Sequence, residues 1–351
     1  MKKILVTGGC GYIGSHTVVD LFENGFDVIS IDDNSRSTTY LLEGIEKITG
    51  KKLKNYTVDL KNFDETLAVF QENEDIEGVI HFAAYKAVGE SVEMPLEYFE
   101  NNLFSLINLL KCVKEFNVPY FVFSSSCTVY GNPDEIPVTE ESPIKKFESP
   151  YGATKQMGED IVSEFSKSDD CISILLRYFN PVGAHQSGLI GELPLGKPQN
   201  LVPGITQTAI GKLPQVQVYG NDYPTRDGSC VRDYIHVSDI AYAHTLALEY
   251  LIEERNKTKC DVFNLGTGNG ITVLEAIQAF EKVSGKKLNY KIGPRRSGDV
   301  VAIYANNDKA VKQLNWKIKY NLDDMMRTAW TWELNIKRDE ELMKKQNPVL
   351  N

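Results

Sequence analysis

Tyr151 and Lys155 stand four residues apart in Tyr151-Gly152-Ala153-Thr154-Lys155, a spacing that puts both side chains on one face of a helix. A phenol is a poor base near neutrality, because its unperturbed pKa is about 10. An ammonium beside it favours the phenolate and makes it usable for proton transfer. Taken alone, such a pair reads as a surface contact; two other runs give it meaning. Thr7-Gly8-Gly9-Cys10-Gly11-Tyr12-Ile13-Gly14 satisfies both GxGxxG (Gly9, Gly11, Gly14) and GxxGxxG (Gly8, Gly11, Gly14). Glycines so spaced let a backbone turn sharply against a pyrophosphate whose charge is held by a helix N-terminus. Ser124-Ser125-Ser126 adds hydroxyls at the end of an apolar run. Asp32 lies 18 residues beyond Gly14, where a carboxylate accepts hydrogen bonds from adenosine ribose hydroxyls and repels a 2′-phosphate. Asp33 reinforces a preference for NAD, while Arg36 leaves NADP open.

The elements that must position these residues alternate along the chain. Ile4 to Thr7, Val28 to Ile31, Tyr56 to Val58, Val79 to Phe82, Tyr120 to Ser124 and Ile172 to Arg177 are short apolar or β-branched runs and read as strands. Tyr12 to Asn24, Phe63 to Asn73, a long stretch from Pro95 to Phe116, and Tyr151 to Phe165 read as helices between them. Strands fed by crossover helices run parallel, so the expectation is an α/β fold with a doubly wound sheet. From Gly183 to Gly204 the chain is rich in Gly and Pro and reads as irregular loop. Val231 to Val237 (strand), Ser238 to Ile252 (helix capped by Ser238) and Val262 to Leu265 (strand) are expected to rejoin the first sheet. The expected division is a dinucleotide-binding domain over 1–180, rejoined by about 231–268, and a smaller mixed α/β substrate-binding domain over 181–230 and 269–351.

Composition narrows the function classes. The 351 residues carry 38 Lys+Arg against 48 Asp+Glu, a formal charge of −10, which argues against a nucleic-acid partner. The apolar run after Lys2-Lys3 is far too short for a signal peptide or a membrane span, so a cytoplasmic location is expected. The six cysteines form no CxxC pair and the histidines have no metal spacing, so no metal is expected.

With these residues together, the chain resembles the extended short-chain dehydrogenase/reductase family. The resemblance runs over nearly the whole length. It is carried by TGGCGYIGSH (7–16), KAVGES (86–91), SSSCTVYG (124–131), YGATK (151–155), YFN (178–180), VRDYIHV (231–237) and RRSGD (295–299). NPVGAHQSG (180–188) and GNDYPTRDG (220–228) point within it to the branch that interconverts UDP-glucose and UDP-galactose. The resemblance implies a Rossmann-type sheet, bound NAD, a UDP-hexose substrate and a homodimer that pairs the helices near 95–116 and 151–165. It also implies transient oxidation at sugar carbon 4 with non-stereospecific hydride return.

By the same resemblance, Tyr151 is the acid/base, Ser126 shares the sugar hydroxyl proton, and Lys155 holds the nicotinamide ribose. NAD would be contacted by Gly8, Gly11, Tyr12, Ile13 and Gly14, by Asp32, Asp33, Asn34, Ser35, Arg36 and Ser37, and by Asp59 and Leu60. Phe82, Ala83, Ala84, Tyr85, Lys86, Asn101 and Phe179 complete that set. The nucleotide sugar would meet Lys86, Ser126, Tyr151, Asn180, Asn200, Leu201, Gln217, Val218, Tyr219, Arg232, Arg296 and Asp299. Arginines suit a diphosphate because their guanidinium groups fork onto its oxygens. Four residues after Asp299, where relatives restricted to unacetylated hexoses commonly carry Tyr, this chain has Ile303 followed by Tyr304. The smaller residue would leave room for an acetamido group and implies activity on UDP-N-acetylglucosamine as well.

Two rivals are set aside on residues. A nucleotide-sugar dehydratase carries an Asp-Glu pair after the position of Ser126, where this chain has Cys127-Thr128. A silent NAD-sensing scaffold loses the Tyr or the Lys, and both are present.

Overall fold

The computed structural model describes residues 1–296 and 298–346; Ser297 of the RRSGD run and residues 347–351 lie outside the described residues. Its centre is a seven-stranded parallel sheet. Six of the strands are β1 (Lys3–Thr7), β2 (Asp27–Ile31), β3 (Lys54–Tyr56), β4 (Ile76–His81), β5 (Tyr120–Ser126) and β6 (Ile172–Tyr178). The seventh is Cys260–Leu265, and the order across the sheet is Cys260–Leu265, β6, β5, β4, β1, β2, β3. The order reverses between β1 and β4, and in open sheets of this kind the ligand crevice opens beyond the carboxyl ends of the strands at that point.

Strands covered on both faces read as continuous apolar runs, and β1 divides its residues accordingly. Ile4 and Val6 pack into one core with Val18, Leu21, Ile240 and Leu248. Leu5 packs into the other with Val69, Leu109, Leu110 and Val162. The helices Tyr12–Glu23 and Val237–Ile252 therefore cover one face, and Phe63–Glu72, Ser105–Glu115 and Pro150–Ser168 the other. A third core gathers Val202, Ile205, Val218, Ile277, Phe280, Met325 and Met326 beyond the sheet. Trp316 and Trp332 are buried and Trp330 packs on the third core, so all three act as packing residues.

Several local expectations need correction. Val231 to Val237 is not one strand and does not rejoin the main sheet. It splits into Val231–Arg232, which pairs with Ile271–Thr272 and Ala302–Ile303, and Tyr234–His236, which pairs with Asn180–Val182. Asp233 causes the break: its buried carboxylate accepts from the backbone of Thr267, Gly268 and Ala305 and from the Thr267 hydroxyl, pulling that residue out of register. Of the expected trio, the helix packs on one face of the large sheet and the last strand joins it. The cap of the following helix is His236, whose Nδ1 accepts the Ser238 N–H at 3.0 Å, and not Ser238. The helix expected over 95–116 is divided into Pro95–Phe99 and Ser105–Glu115 by a π turn at Glu100–Phe104. The loop expected to reach Gly204 ends earlier, because the helix Leu201–Ala209 begins inside it. The third strand is Lys54–Tyr56, not Tyr56 to Val58, and a helix at Tyr40–Thr49 precedes it.

Candidate active site

The residues with chemical potential meet at the carboxyl ends of β1, β2, β4, β5 and β6. Gly8 follows β1 with φ +73°, and a Cβ there would lie 2.9 Å from the Ala83 backbone nitrogen beyond β4. A Cβ on Gly14 would collide with the Gly8 carbonyl. Gly11 caps the helix Tyr12–Glu23 without a side-chain hydrogen bond, and no acid sits in the first turn. That N-terminus presents free N–H groups and positive dipole to whatever lies against it, which is how helices take up phosphates. The turn therefore fits a dinucleotide pyrophosphate.

Asp32 lies just past β2 and is buried. One carboxylate oxygen accepts Asn34 N–H at 3.0 Å and Ser37 Oγ–H at 2.7 Å, while the other accepts Cys10 N–H at 3.0 Å. The second oxygen keeps a lone pair for a ribose hydroxyl. Burial raises its pKa, opposed by those hydrogen bonds. Asp33 accepts from Ser35 N and Oγ at 2.9 and 2.8 Å. Arg36 is committed elsewhere: it pairs with Glu90 at 3.0 Å and lies 4.5 Å from the Tyr85 ring centre. Arg36 is thus engaged away from Asp32, which is in keeping with NAD.

Further contacts frame this region. Tyr12 Oη donates to Gly183 O at 2.6 Å, and Ile13 packs on the first core. Asp59 accepts Lys61 N–H at 2.9 Å, and Leu60 is buried in the second core. Phe82 lies against the His244 ring at 4.6 Å. The π turn carries Asn101 and Asn102; Asn102 accepts Tyr85 N–H at 2.8 Å and donates to Tyr85 O and to Thr154 Oγ1, both at 3.0 Å. The extra residue of a π turn re-aims side chains in this way, and here it ties the Ala84–Lys86 segment to the helix that bears Tyr151.

Ser149 caps that helix by accepting Gly152 N–H at 3.2 Å, and Pro150 fills its first turn. Tyr151 and Lys155 share a buried face as expected. Lys155 Nζ donates to Ser124 O at 2.6 Å and sits 5.9 Å from the Tyr151 ring centre. Burial lowers the Lys155 pKa to about 8, against the raising influence of Glu159. Burial also pushes the Tyr151 phenol up to about 12, with a hydrogen bond from Ser126 pulling it down. Desolvation is thus the largest influence on the phenol, and the Lys155 ammonium does not by itself lower it below its ordinary value. Phe179 follows β6 and is buried with Cys127, Val129 and Ile303. Burial holds the Cys127 thiol up at about 12, which suits a packing residue.

The residues expected to meet the nucleotide sugar form two groups. Arg232 and Arg296 converge on Asp299: Arg232 donates at 3.2 Å, and Arg296 donates at 2.7 Å and 3.2 Å. Arg232 thus pairs with Asp299 and not with Asp233 or Asp239. Arg296 also lies 5.5 Å from the Tyr219 ring centre. Gln217 donates to Lys291 O at 3.1 Å, and Val218 is buried in the third core. In the second group, Lys86 and Asn200 both meet Glu192, at 3.2 Å and 2.6 Å, with Leu201 opening the adjacent helix. Asn180 Oδ1 and Thr128 Oγ1 are buried without a hydrogen-bond partner among the described residues. Ile303 pairs with Arg232 and faces Cys127 and Phe179, whereas the neighbouring Tyr304 ring turns to the opposite side, against Gly270. His16 is buried against Tyr12 and kept neutral by burial, its pKa near 3, so it packs and does no chemistry.

Sequence reading missed Glu159, Arg177, Asn102, Asp233 and Glu192. For Glu159 a signal existed, since it continues the four-residue spacing of Tyr151 and Lys155. For Arg177 and Asp233 only the pairing of distant strands reveals the partners.

The GDP-mannose 4,6 dehydratase family profile matches residues 5–329. A UDP-glucose 4-epimerase of Bacillus subtilis is 49% identical, over 94% of this chain and 96% of its own length. A structure of UDP-glucose 4-epimerase from Bifidobacterium longum, in complex with NAD+ and UDP, superimposes with a TM-score of 0.91 at 47% identity, covering 99% of both chains. Another, from Stenotrophomonas maltophila with bound NAD and formylated UDP-arabinopyranose, gives 0.92 at 45% identity and covers 97% of this chain and 100% of its own.

Proposed function

The chain belongs to the UDP-glucose 4-epimerase family, within the extended short-chain dehydrogenases/reductases, and we propose that the site around Ser126, Tyr151 and Lys155 performs that family's reaction. The protein is an NAD-dependent isomerase that interconverts UDP-glucose and UDP-galactose. The observation that supports this site best is the meeting of the Tyr151–Lys155 face with the glycine turn at one end of the sheet. NAD held by the glycine turn and Asp32 would supply the acceptor and donor of hydride at sugar carbon 4.

The chain's own residues do the rest. Gly8, Gly11 and Gly14 let the pyrophosphate approach, the N–H groups of Tyr12 and Ile13 meet its charge, and Asp32 takes the adenosine ribose. Tyr151 Oη removes the proton of the 4-hydroxyl and later returns it, with Ser126 Oγ between phenol and sugar. Lys86, Arg232 and Arg296 hold the diphosphate. Asn200, Leu201 and the segment Gln217–Tyr219 hold the nucleoside, and Asn180 Oδ1 takes a donor of the ligand. Clamping the nucleotide while leaving the sugar free to turn lets remote binding energy retain the oxidised sugar. Dehydration would need an acid beside Ser126; Cys127, with its thiol near 12, and Thr128 supply none. Purified protein, with no NAD added, is expected to convert UDP-galactose to UDP-glucose in a coupled assay. Silence that persists after NAD is added would reject the assignment.

Ile303 gives the site its second substrate. Its side chain lies in the buried cluster with Cys127 and Phe179, one residue from Ser126 and one from Asn180 along the chain, and leaves the bulk of Tyr304 on the far side of the strand. Turnover of UDP-N-acetylgalactosamine is therefore expected beside that of UDP-galactose. Ile303→Tyr should cut the acetylated activity at least about tenfold relative to the unacetylated one, as added bulk in a fitted pocket does. Equal loss on both substrates would remove the gate.

A homodimer is part of the same reading. Val92, Leu96, Phe104, Ile107 and Met157 expose apolar side chains on the helices between 88 and 115 and on Pro150–Ser168, with Leu96 at 76% and Phe104 at 56% exposure. Such a row is stabilised by pairing with its own copy. Light scattering is expected to give about twice the 39.5 kDa chain mass, and Phe104→Asp to shift it toward one. A monomer in both cases would reject the pairing. We place the protein in the cytoplasm: the six cysteines are free, which suits a reducing compartment, and no helix among the described residues is long and apolar enough to cross a membrane.

A further inference from the structure

Glu159 is one helical turn beyond Lys155 and is almost wholly buried, its side chain 9% exposed. A carboxylate in such a place must be paired, because the cost of burying an isolated charge is large. Arg177 meets it with a two-pronged contact, Nε to one oxygen at 2.8 Å and Nη2 to the other at 2.6 Å. The Ser125 hydroxyl donates to the same carboxylate. Arg177 is fixed in turn: its Nη1 donates to Tyr130 Oη at 3.0 Å, and Tyr130 Oη donates to Asn264 at 2.6 Å. The pair is thus built into β5, β6 and the strand Cys260–Leu265, with no freedom to turn away.

Two successive residues of β5 serve two residues on one helix face: Ser124 O holds Lys155 and Ser125 Oγ holds Glu159, with Ser126 next along the strand. We propose that Glu159 is a positioning residue for the epimerase reaction: fixed by Arg177 and Ser125, its charge keeps the buried Lys155 protonated where that ammonium is needed beside Tyr151. This rests on the function proposed above. The other groups packed around Lys155 cannot replace that charge. Phe123, its ring centre 5.0 Å from Nζ, is apolar, and His81 on β4 is held neutral by burial. The hydroxyls of Tyr178 and Ser124, bonded to each other, are neutral, and Arg177 carries the wrong sign. Burial brings the ammonium down to about 8 even with Glu159 opposing it, so loss of that charge takes it lower still.

The test is the pH profile of kcat with UDP-galactose for the holoenzyme, Glu159→Gln and the double variant Glu159→Gln/Arg177→Gln. Lys155 must stay charged, so activity is lost as pH rises through its pKa, and lowering that pKa moves the alkaline limb to lower pH. For Glu159→Gln the limb is expected to shift down by about one unit or more, as removal of a charge at this range in a partly desolvated site does. For a one-unit shift from a midpoint of about 8, activity at pH 8.5 relative to pH 6.5 falls about sixfold further than in the parent protein. The double variant leaves no unpaired buried cation, so it carries the test even if the single variant does not fold. Its limb should move in the same direction by less. Reduced kcat with the alkaline midpoint unchanged in the double variant would overturn the proposal and leave Glu159 a packing residue. A parent protein without epimerase activity would instead reject the function on which it rests.

Discussion

Tyr151→Phe is expected to lower kcat by about 10²–10⁴-fold with little change in KM, the loss seen when a positioned proton-transfer group is removed. The phenol is the acid/base that takes up the 4-hydroxyl proton, with Ser126 Oγ relaying it, and Lys155 Nζ is turned to Ser124 O. The ring itself packs in a buried wall, and Phe preserves that packing, so the variant should fold and keep its NAD. A comparable fall in cofactor content would mean that the loss is one of binding. A kcat within a few-fold of the parent would remove Tyr151 from the reaction.

Gly14→Ala is expected to strip the protein of cofactor. The added Cβ would collide with the Gly8 carbonyl, and Gly8 cannot yield, because its left-handed backbone already lies against Ala83. The turn must open, which moves the free N–H groups at the start of the helix away from the pyrophosphate. Affinity for NAD should drop at least about tenfold, or about 1.4 kcal/mol. The readout is the NAD released on denaturing equal amounts of the two proteins, together with recovery of activity on adding NAD. Full retention of cofactor would contradict the placement of the pyrophosphate at this turn.

What could be read from the sequence was what is local. The glycine turn, Asp32 and the Tyr151–Lys155 face depend on spacings of a few residues, and each stands where its spacing places it. The parallel sheet followed from the alternation of apolar runs with amphipathic stretches. Expectations failed where distant groups decide the backbone. Asp233 breaks a plausible strand because its carboxylate collects N–H groups from 267–268 and from 305. The π turn at Glu100–Phe104 lies inside a run whose apolar spacing reads as one continuous helix, and its use, aiming Asn102 at Tyr85 and Thr154, is visible only when those elements come together. Arg177 reads as the last residue of an apolar strand until its register opposite Ser125 brings it to Glu159. Tyr151 is the clearest case of physics that sequence cannot weigh, since burial, which no spacing reveals, raises the phenol.

The account turns on hydride leaving and returning to the same sugar carbon while the phenol handles only the hydroxyl proton. UDP-galactose deuterated at carbon 4, turned over in ordinary water by the purified protein, tests this directly. Mass spectrometry and proton NMR of the UDP-glucose formed are expected to show the deuterium still at carbon 4. Product in which that label has been exchanged for solvent hydrogen would contradict the mechanism.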